Sequence, residues 1–175
     1  MKRILFYDAY PLKRDSKNRL ALPADIRKLF APDSEGPVLI ITLRNKIPWI
    51  YPAAYYERLV KAFIPPKLAP SEYMVDYTRL KFALASKLPP WDAQGRLVLP
   101  DWVVKQAKLD FDLTLLGVQD HMELWNTKSW SEEVVGLMHR SADIEKRAEE
   151  MIEKQNRDRP IALTRTVIGP EKIDA

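Results

Sequence analysis

Two stretches of the chain alternate apolar and polar residues in nearly the same words: "RLALP" at residues 19–23 and "RLVLP" at residues 96–100. Alternation of this kind predicts a half-buried strand, because successive strand side chains point to opposite faces. Each stretch follows an aspartate four residues before its arginine, Asp15 and Asp92, with Asn18 or Gly95 immediately before the arginine. A carboxylate suits the start of a tight turn, and Asn and Gly both tolerate positive φ. Pro23 and Pro100 then fit the first residue of a short helix, where a missing N–H costs nothing. Leu22, Ile26 and Leu29 make the expected apolar stripe of that helix in the first copy, and Leu99, Val103 and Ala107 in the second.

The pattern continues in parallel. "VLIITL" and "LTLLGV" read as buried strands, "RNK" and "QDH" as turns, and "PWIY" and "MELW" as returning strands. The segments "YYERLVKAF" and "WSEEVVGLM" close each unit as helices. The chain therefore holds two copies of one unit of about fifty residues, their motifs seventy-seven positions apart. A single unit has little core of its own. An α+β fold follows, in which the copies pack face to face about a pseudo-twofold axis as interleaved hairpins closing a small β-barrel with flanking helices.

Four segments are expected: a first repeat (1–63), a connecting helix or linker (64–90), a second repeat (91–138) and a charged helical C-terminal tail (139–175). Prolines punctuate the connection at "IPPKLAP" and "KLPP". Between them "SEYMVDYTRLKFALASK" reads as a helix with Ser71 as N-cap and Tyr73, Tyr77, Leu80 and Leu84 on one stripe. "SADIEKRAEEMIEKQNRDR" is charged, with Ile144, Met151 and Ile152 as its apolar anchors, and reads as a solvated or partner-binding helix.

Composition narrows the chemistry. The absence of cysteine removes disulfides, thiolate catalysis and zinc-thiolate sites. No membrane-length apolar run and no signal-like N-terminus is present, so a cytoplasmic location is expected. His121 and His139 lie on different elements, with His121 expected at the surface in the second hairpin turn, and no Gly-rich phosphate loop occurs.

The net charge of +4 is mild, but it is concentrated. Residues 1–30 carry eight Lys or Arg against three Asp, and Lys13, Arg14, Lys17 and Arg19 flank one turn. Such a turn can present cations to phosphates, and an arginine fork can read a guanine edge. The bland alternative is a solvated surface in which Arg19 only braces Asp15. The second copy offers Pro89, Pro90, Trp91, Ala93, Gln94 and only Arg96. Two aspartates from related halves also raise the dyad of an aspartic protease. That chemistry needs a small hydroxyl residue and glycine after each Asp, whereas here the followers are Ser16-Lys17 and Ala93-Gln94.

Over residues 4–135, the twin Asp-x-x-x-Arg-Leu-x-Leu-Pro motif resembles the MraZ family, bacterial regulators associated with the division and cell-wall gene cluster, with halves of the SpoVT/AbrB swapped-hairpin fold. The family's Asp-x-Lys-Gly-Arg stands here as Asp15-Ser16-Lys17-Asn18-Arg19, and its Phe-Arg-Gly start as Phe6-Tyr7-Asp8. The resemblance implies a sequence-specific regulator of transcription, nucleoid-associated, acting on short direct promoter repeats in double-stranded DNA. It also implies a homo-oligomeric ring, without catalysis, cofactor, metal, membrane or small-molecule substrate. The DNA-contacting candidates are Lys13, Arg14, Lys17 and Arg19, with Arg96 in the second copy, where the motif is expected to serve mainly as architecture. Asp15, Asn18, Asp92 and Gly95 are the turn-forming candidates. The competing reading is a ring-forming interaction protein, with Trp49, Tyr51, Trp125 and Trp130 at subunit contacts; core packing inside each half is the other use of these aromatics, and the expected one.

Overall fold

A computed structural model describes residues 5–30, 38–63 and 72–157. Two compact units divide the chain, residues 1–132 and 133–175. Ser71 and residues 158–175, expected as an N-cap and as the end of the tail, lie outside the described residues.

The first unit is α+β. Its strands are β1 (Ala9–Lys13), β2 (Arg19–Ala21), β3 (Leu39–Arg44), β4 (Ile47–Pro52), β5 (Ala85–Leu88), β6 (Arg96–Val98), β7 (Asp112–Val118) and β8 (His121–Asn126). Helices α1 (Ala24–Phe30), α2 (Ala53–Phe63), α3 (Glu72–Phe82), α4 (Asp101–Ala107) and the start of α5 (Thr127–His139) connect and flank them. The strands form a six-stranded antiparallel sheet, ordered β1-β7-β8-β4-β3-β5, and a separate ribbon, β2-β6.

The expected closed barrel is not formed: the large sheet is open, with β1 and β5 at its edges. After the two tight turns, β2 and β6 leave that sheet and pair with each other, so no strand remains to bridge its edges. Cross-copy pairing is extensive. β1 of the first copy lies on β7 of the second, β5 lies on β3 of the first, and β4 meets β8 through Trp49–Glu123 and Ile50–Met122.

Three local expectations need correction. The helix expected through residue 87 stops at Phe82, and residues 85–88 are a strand, because Leu88 buries opposite Leu39 when this segment pairs with β3. Pairing overrides the local helical pattern there. Pro100 sits at the N-cap, not inside the helix, with an extended φ of −62° and ψ of 139°. Leu29 is exposed and Phe30 is buried in its place, because the inward stripe runs Leu22, Ile26, Phe30 at i, i+4, i+8. Those positions match Leu99, Val103 and Ala107 of the second copy.

One core joins the copies. Leu20, Leu97, Leu22, Leu99, Ile26, Val103, Ile41, Leu115 and Met122 are all buried in it. Each fully buried leucine contributes about 1.5–3 kcal/mol relative to exposure. A smaller cluster of Tyr51, Tyr56 and Val60 packs α2 against the sheet. In the second unit, α6 (Ser141–Arg157) is exposed along its whole length, including Ile144, Met151 and Ile152.

The N-terminal segment closes over one glycine. Phe6 is buried and exchanges two backbone hydrogen bonds of 2.9 Å with Gln119, while the Gly117 N–H donates to the Asp8 carbonyl at 2.8 Å. A Cβ on Gly117 would stand 2.3 Å from the Tyr7 backbone nitrogen, so the segment crosses only because no side chain is there. Gly136, in contrast, meets only the end of Arg140 at 3.8 Å. Gly117→Ala should therefore lower the melting temperature by forcing the segment off. Gly136→Ala should hold or raise it, by up to about 1 kcal/mol of helix propensity. Paired thermal melts check both directions.

Candidate nucleic-acid interface

Both motif turns use one device. In the first, Asp15 Oδ1 accepts the backbone N–H groups of Lys17 (2.9 Å) and Arg19 (2.8 Å), and Oδ2 accepts Arg19 Nε–H at 2.6 Å. In the second, Asp92 accepts from Gln94, from Arg96 N–H (both 2.9 Å) and from Arg96 Nε–H at 2.7 Å. The Asn18 N–H donates to the Asp15 carbonyl and the Gly95 N–H to the Asp92 carbonyl, closing each turn. Asn18 (φ 59°) and Gly95 (φ 74°) carry the left-handed conformation the turn requires. At Gly95 a Cβ would also meet the distal end of the Arg27 side chain at 2.7 Å, which would have to move aside.

The hydrogen bonds fix the charge state of both carboxylates. The backbone N–H of Arg19, aided by its side chain and the Lys17 N–H, holds Asp15 below the usual carboxylate range. The backbone and side chain of Arg96, with the Gln94 N–H, do the same for Asp92.

The ribbon sets where the turns stand. Its register pairs Leu20 with Leu97, Arg19 with Val98 and Ala21 with Arg96. Flanking it, the Leu22 N–H donates to the Gly95 carbonyl (2.9 Å) and the Leu99 N–H to the Asn18 carbonyl (2.8 Å). The two turns consequently lie at opposite ends of the ribbon. Leu20 and Leu97 point into the core, so Arg19 and Arg96 share the outward face at diagonal corners. This placement rules out a carboxylate dyad: Asp15 and Asp92 are separated by the ribbon, and each is saturated by its own turn.

Around the first turn the cations have different duties. Lys17 is exposed, and its ammonium has no partner among the described residues. Lys13 is exposed at the end of β1, 3.5 Å from an equally exposed Asp112, a pair that water and salt screen heavily. Arg14 is occupied. Its guanidinium donates to the carbonyls of Leu109 (3.1 Å) and Asp110 (3.2 Å) and to Asn18 Oδ1 (2.6 Å), and lies 4.7 Å from the Phe111 ring centre. Asn18 Nδ2 reaches on to Asp101 at the start of α4 (2.6 Å). Arg14 thus staples the first turn to the second copy, a role that its place in a run of cations did not disclose. Arg19 and Arg96 are each about a third exposed, at 31% and 32%.

His121 corrects an expectation. It is the first residue of β8, buried at 5% exposure, stacked 3.9 Å from the Trp49 ring and held between Asp120 (2.6 Å) and Glu123 (3.4 Å). The turn itself is Gln119-Asp120, one residue earlier than expected. Aligning the copies sets His121 opposite Ile47, and that signal could have placed it on a strand. Burial pushes both neighbouring carboxyls up, but the hydrogen bonds from His121, with Tyr55 on Asp120 and Trp125 on Glu123, outweigh it and leave both lowered.

A family model described as "MraZ protein, putative antitoxin-like" matches residues 84–154. A "Transcriptional regulator MraZ" of Neisseria meningitidis serogroup C is 30% identical over 140 residues, covering 79% of this chain and 91% of that protein. The chain belongs to the MraZ family. Proteins of the same description from Dehalococcoides mccartyi (30% over 129 residues; 74% of this chain, 87% of that one) and Micrococcus luteus (33% over 127 residues; 73% and 85%) agree. Regulation of transcription is accordingly the role that family membership supports. No helix among the described residues is long and apolar enough to cross a membrane.

The depressed Asp15 and Asp92 pKa values set an acid dependence. A carboxyl whose folded pKa lies below its unfolded value stabilises the fold above that value, near 3.8, and the stabilisation is lost as pH falls further. Asp15→Asn and Asp92→Asn should therefore lower the melting temperature at pH 7, and each should show a shallower further loss than the parent protein between about pH 4 and pH 2. Melting curves across that range would contradict this if the variants tracked the parent in parallel.

Proposed function

We propose that the chain is a sequence-specific, double-stranded-DNA-binding regulator of transcription. The observation that carries the reading is the outward ribbon face: two braced arginines, with Lys17, unpartnered among the described residues, and the screened Lys13 beside the first. A braced arginine is held in place before binding: Arg19 pairs with Asp15 through Nε, leaving its terminal nitrogens available to a base edge or phosphate, whereas Arg96 also commits a terminal nitrogen to Asp92 at 2.7 Å. Lys13 and Lys17 supply phosphate contacts, and Arg14 acts by holding the turn. Arg96 is more fully engaged by its aspartate than Arg19 and has fewer cations around it, so the second copy serves mainly as architecture.

The copies are read as swapped-hairpin halves about a pseudo-twofold axis, supported by the Leu20–Leu97 register and the reciprocal bonds across it. They fill residues 1–63 and 91–138, with 64–90 connecting them and 139–175 as a helical tail. A homo-oligomeric ring would multiply weak single contacts over short promoter repeats, and the protein would act at the nucleoid. By the family resemblance, those repeats lie upstream of the division and cell-wall genes.

Selection of bound sequences from random duplex DNA at stated ionic strength tests the reading. Enrichment of a short motif supports it. No enrichment from a folded protein would leave the ring-forming interaction protein as the better account. At the level of residues, Lys17→Ala should weaken binding and reduce the salt slope by about one unit. Arg19→Ala should cost about 1–3 kcal/mol per site and multiply across subunits. Arg96→Ala should act more through stability or assembly. Affinities measured beside melting temperatures decide: if Arg96→Ala loses DNA while folded and assembled, and Arg19→Ala binds normally, the two halves have exchanged roles.

A further inference from the structure

A cavity of about 440 Å³ opens between the β3–β4 hairpin, α2 and α3. Its size falls within the range of small-molecule sites, roughly 300–1,000 Å³. None of its lining residues belongs to either motif turn, and the DNA-binding reading makes no use of it.

The floor is aromatic. His121 stacks against both Trp49 (3.9 Å, 19° between planes) and Tyr51 (5.0 Å, 28°), themselves 6.1 Å apart, so aromatic rings line this side of the cavity. The polar groups differ in how many hydrogen bonds they already make. The carboxylates next to this stack are committed: Asp120 accepts from His121 and Tyr55, and Glu123 from His121 and Trp125. The cations are not. Arg44 lies 4.7 Å over the Trp49 ring, and the half-buried Lys81 lies 5.6 Å from the Tyr77 ring. Neither forms a close ion pair with a carboxylate among the described residues, although the charge of Arg44 helps to hold Glu123 ionised. A half-buried ammonium resting on a ring retains unused donors, and a bound anion would satisfy them better than the ring does.

Tyr51 adds a third donor. Burial and the nearby Asp120 raise its pKa, so it keeps its proton, and no acceptor within the chain takes it among the described residues. The cavity therefore offers two cations and a hydroxyl donor beside a flat aromatic wall, with its neighbouring carboxylates already engaged.

We propose that this cavity binds a small planar organic anion, its ring against the Trp49–His121–Tyr51 stack and its anionic group held by Arg44 and Lys81. The binding does not depend on the DNA-binding reading.

The test uses the full chain and three anions with planar bodies: 1-naphthoate, indole-3-acetate and adenosine monophosphate. Each is titrated beside its uncharged analogue, 1-naphthalenemethanol, tryptophol or adenosine, by calorimetry and tryptophan fluorescence. At least one anion should bind saturably, one per chain, and roughly tenfold more tightly than its analogue. Arg44→Gln and Lys81→Gln should each weaken that binding by roughly tenfold, with melting temperature and DNA affinity unchanged. Failure of all three anions to bind the folded protein would overturn the proposal. So would binding that is indifferent to both substitutions, or equal for anion and analogue.

Discussion

Backbone pairing between β2 and β6 holds the rest of the first unit in place. Each strand is only three residues long, too short to persist alone, and each finds its partner in the other copy. The bonds that flank the pair, Leu22 to Gly95 and Leu99 to Asn18, anchor each turn to the chain beyond the opposite turn. That anchoring drives Leu20 and Leu97 into the shared core and, by alternation, turns Arg19 and Arg96 outward. The outward placement of both arginines descends from this short ribbon.

Much of this was legible in the sequence, and what was not has a common cause. The motif, β3, β4, β7, β8 and the closing helices declare themselves through local periodicity and turn chemistry. β5 does not. "ASKL" continues a helical run, and only contact with Leu39 makes it a strand. Leu29 was mistaken for an inward residue because i+3 and i+4 spacings both fit a short helix, and the core selected Phe30. Arg14 reads as one cation among several until the carbonyls of Leu109 and Asp110 are brought to it by folding. His121 sits beside a turn in sequence yet fills a strand position against two aromatic rings. In each case, residues far along the chain decide the outcome.

The two turns also show how one motif can be kept while its surroundings diverge. The carboxylate–arginine brace is nearly identical at both ends of the ribbon, differing by about 0.1 Å in its closest contact. What differs is one position before each aspartate. Arg14 ties the first turn to polar carbonyls, whereas Trp91, its counterpart, packs edge-on against Phe30 with ring centres 5.9 Å apart. The first turn is thus held by polar contacts and remains surrounded by charge, while the second, itself exposed at Asp92, Ala93 and Gln94, is moored to the edge of the core by Trp91.

The exchange of strands between copies also dictates when the chain can fold. Ala9 must wait for Leu116, and Phe6 for Gln119, more than a hundred residues downstream. An emerging first copy has β3 and β4 to pair locally, but β1 and β2 have no partners until the second copy has been synthesised. Closing loops of that length is entropically costly and slows the search. During that interval Leu20, Leu22 and Ile26 have no core to enter. On the ribosome, therefore, the first half should remain an unfinished surface, and native structure should arrive late and nearly all at once.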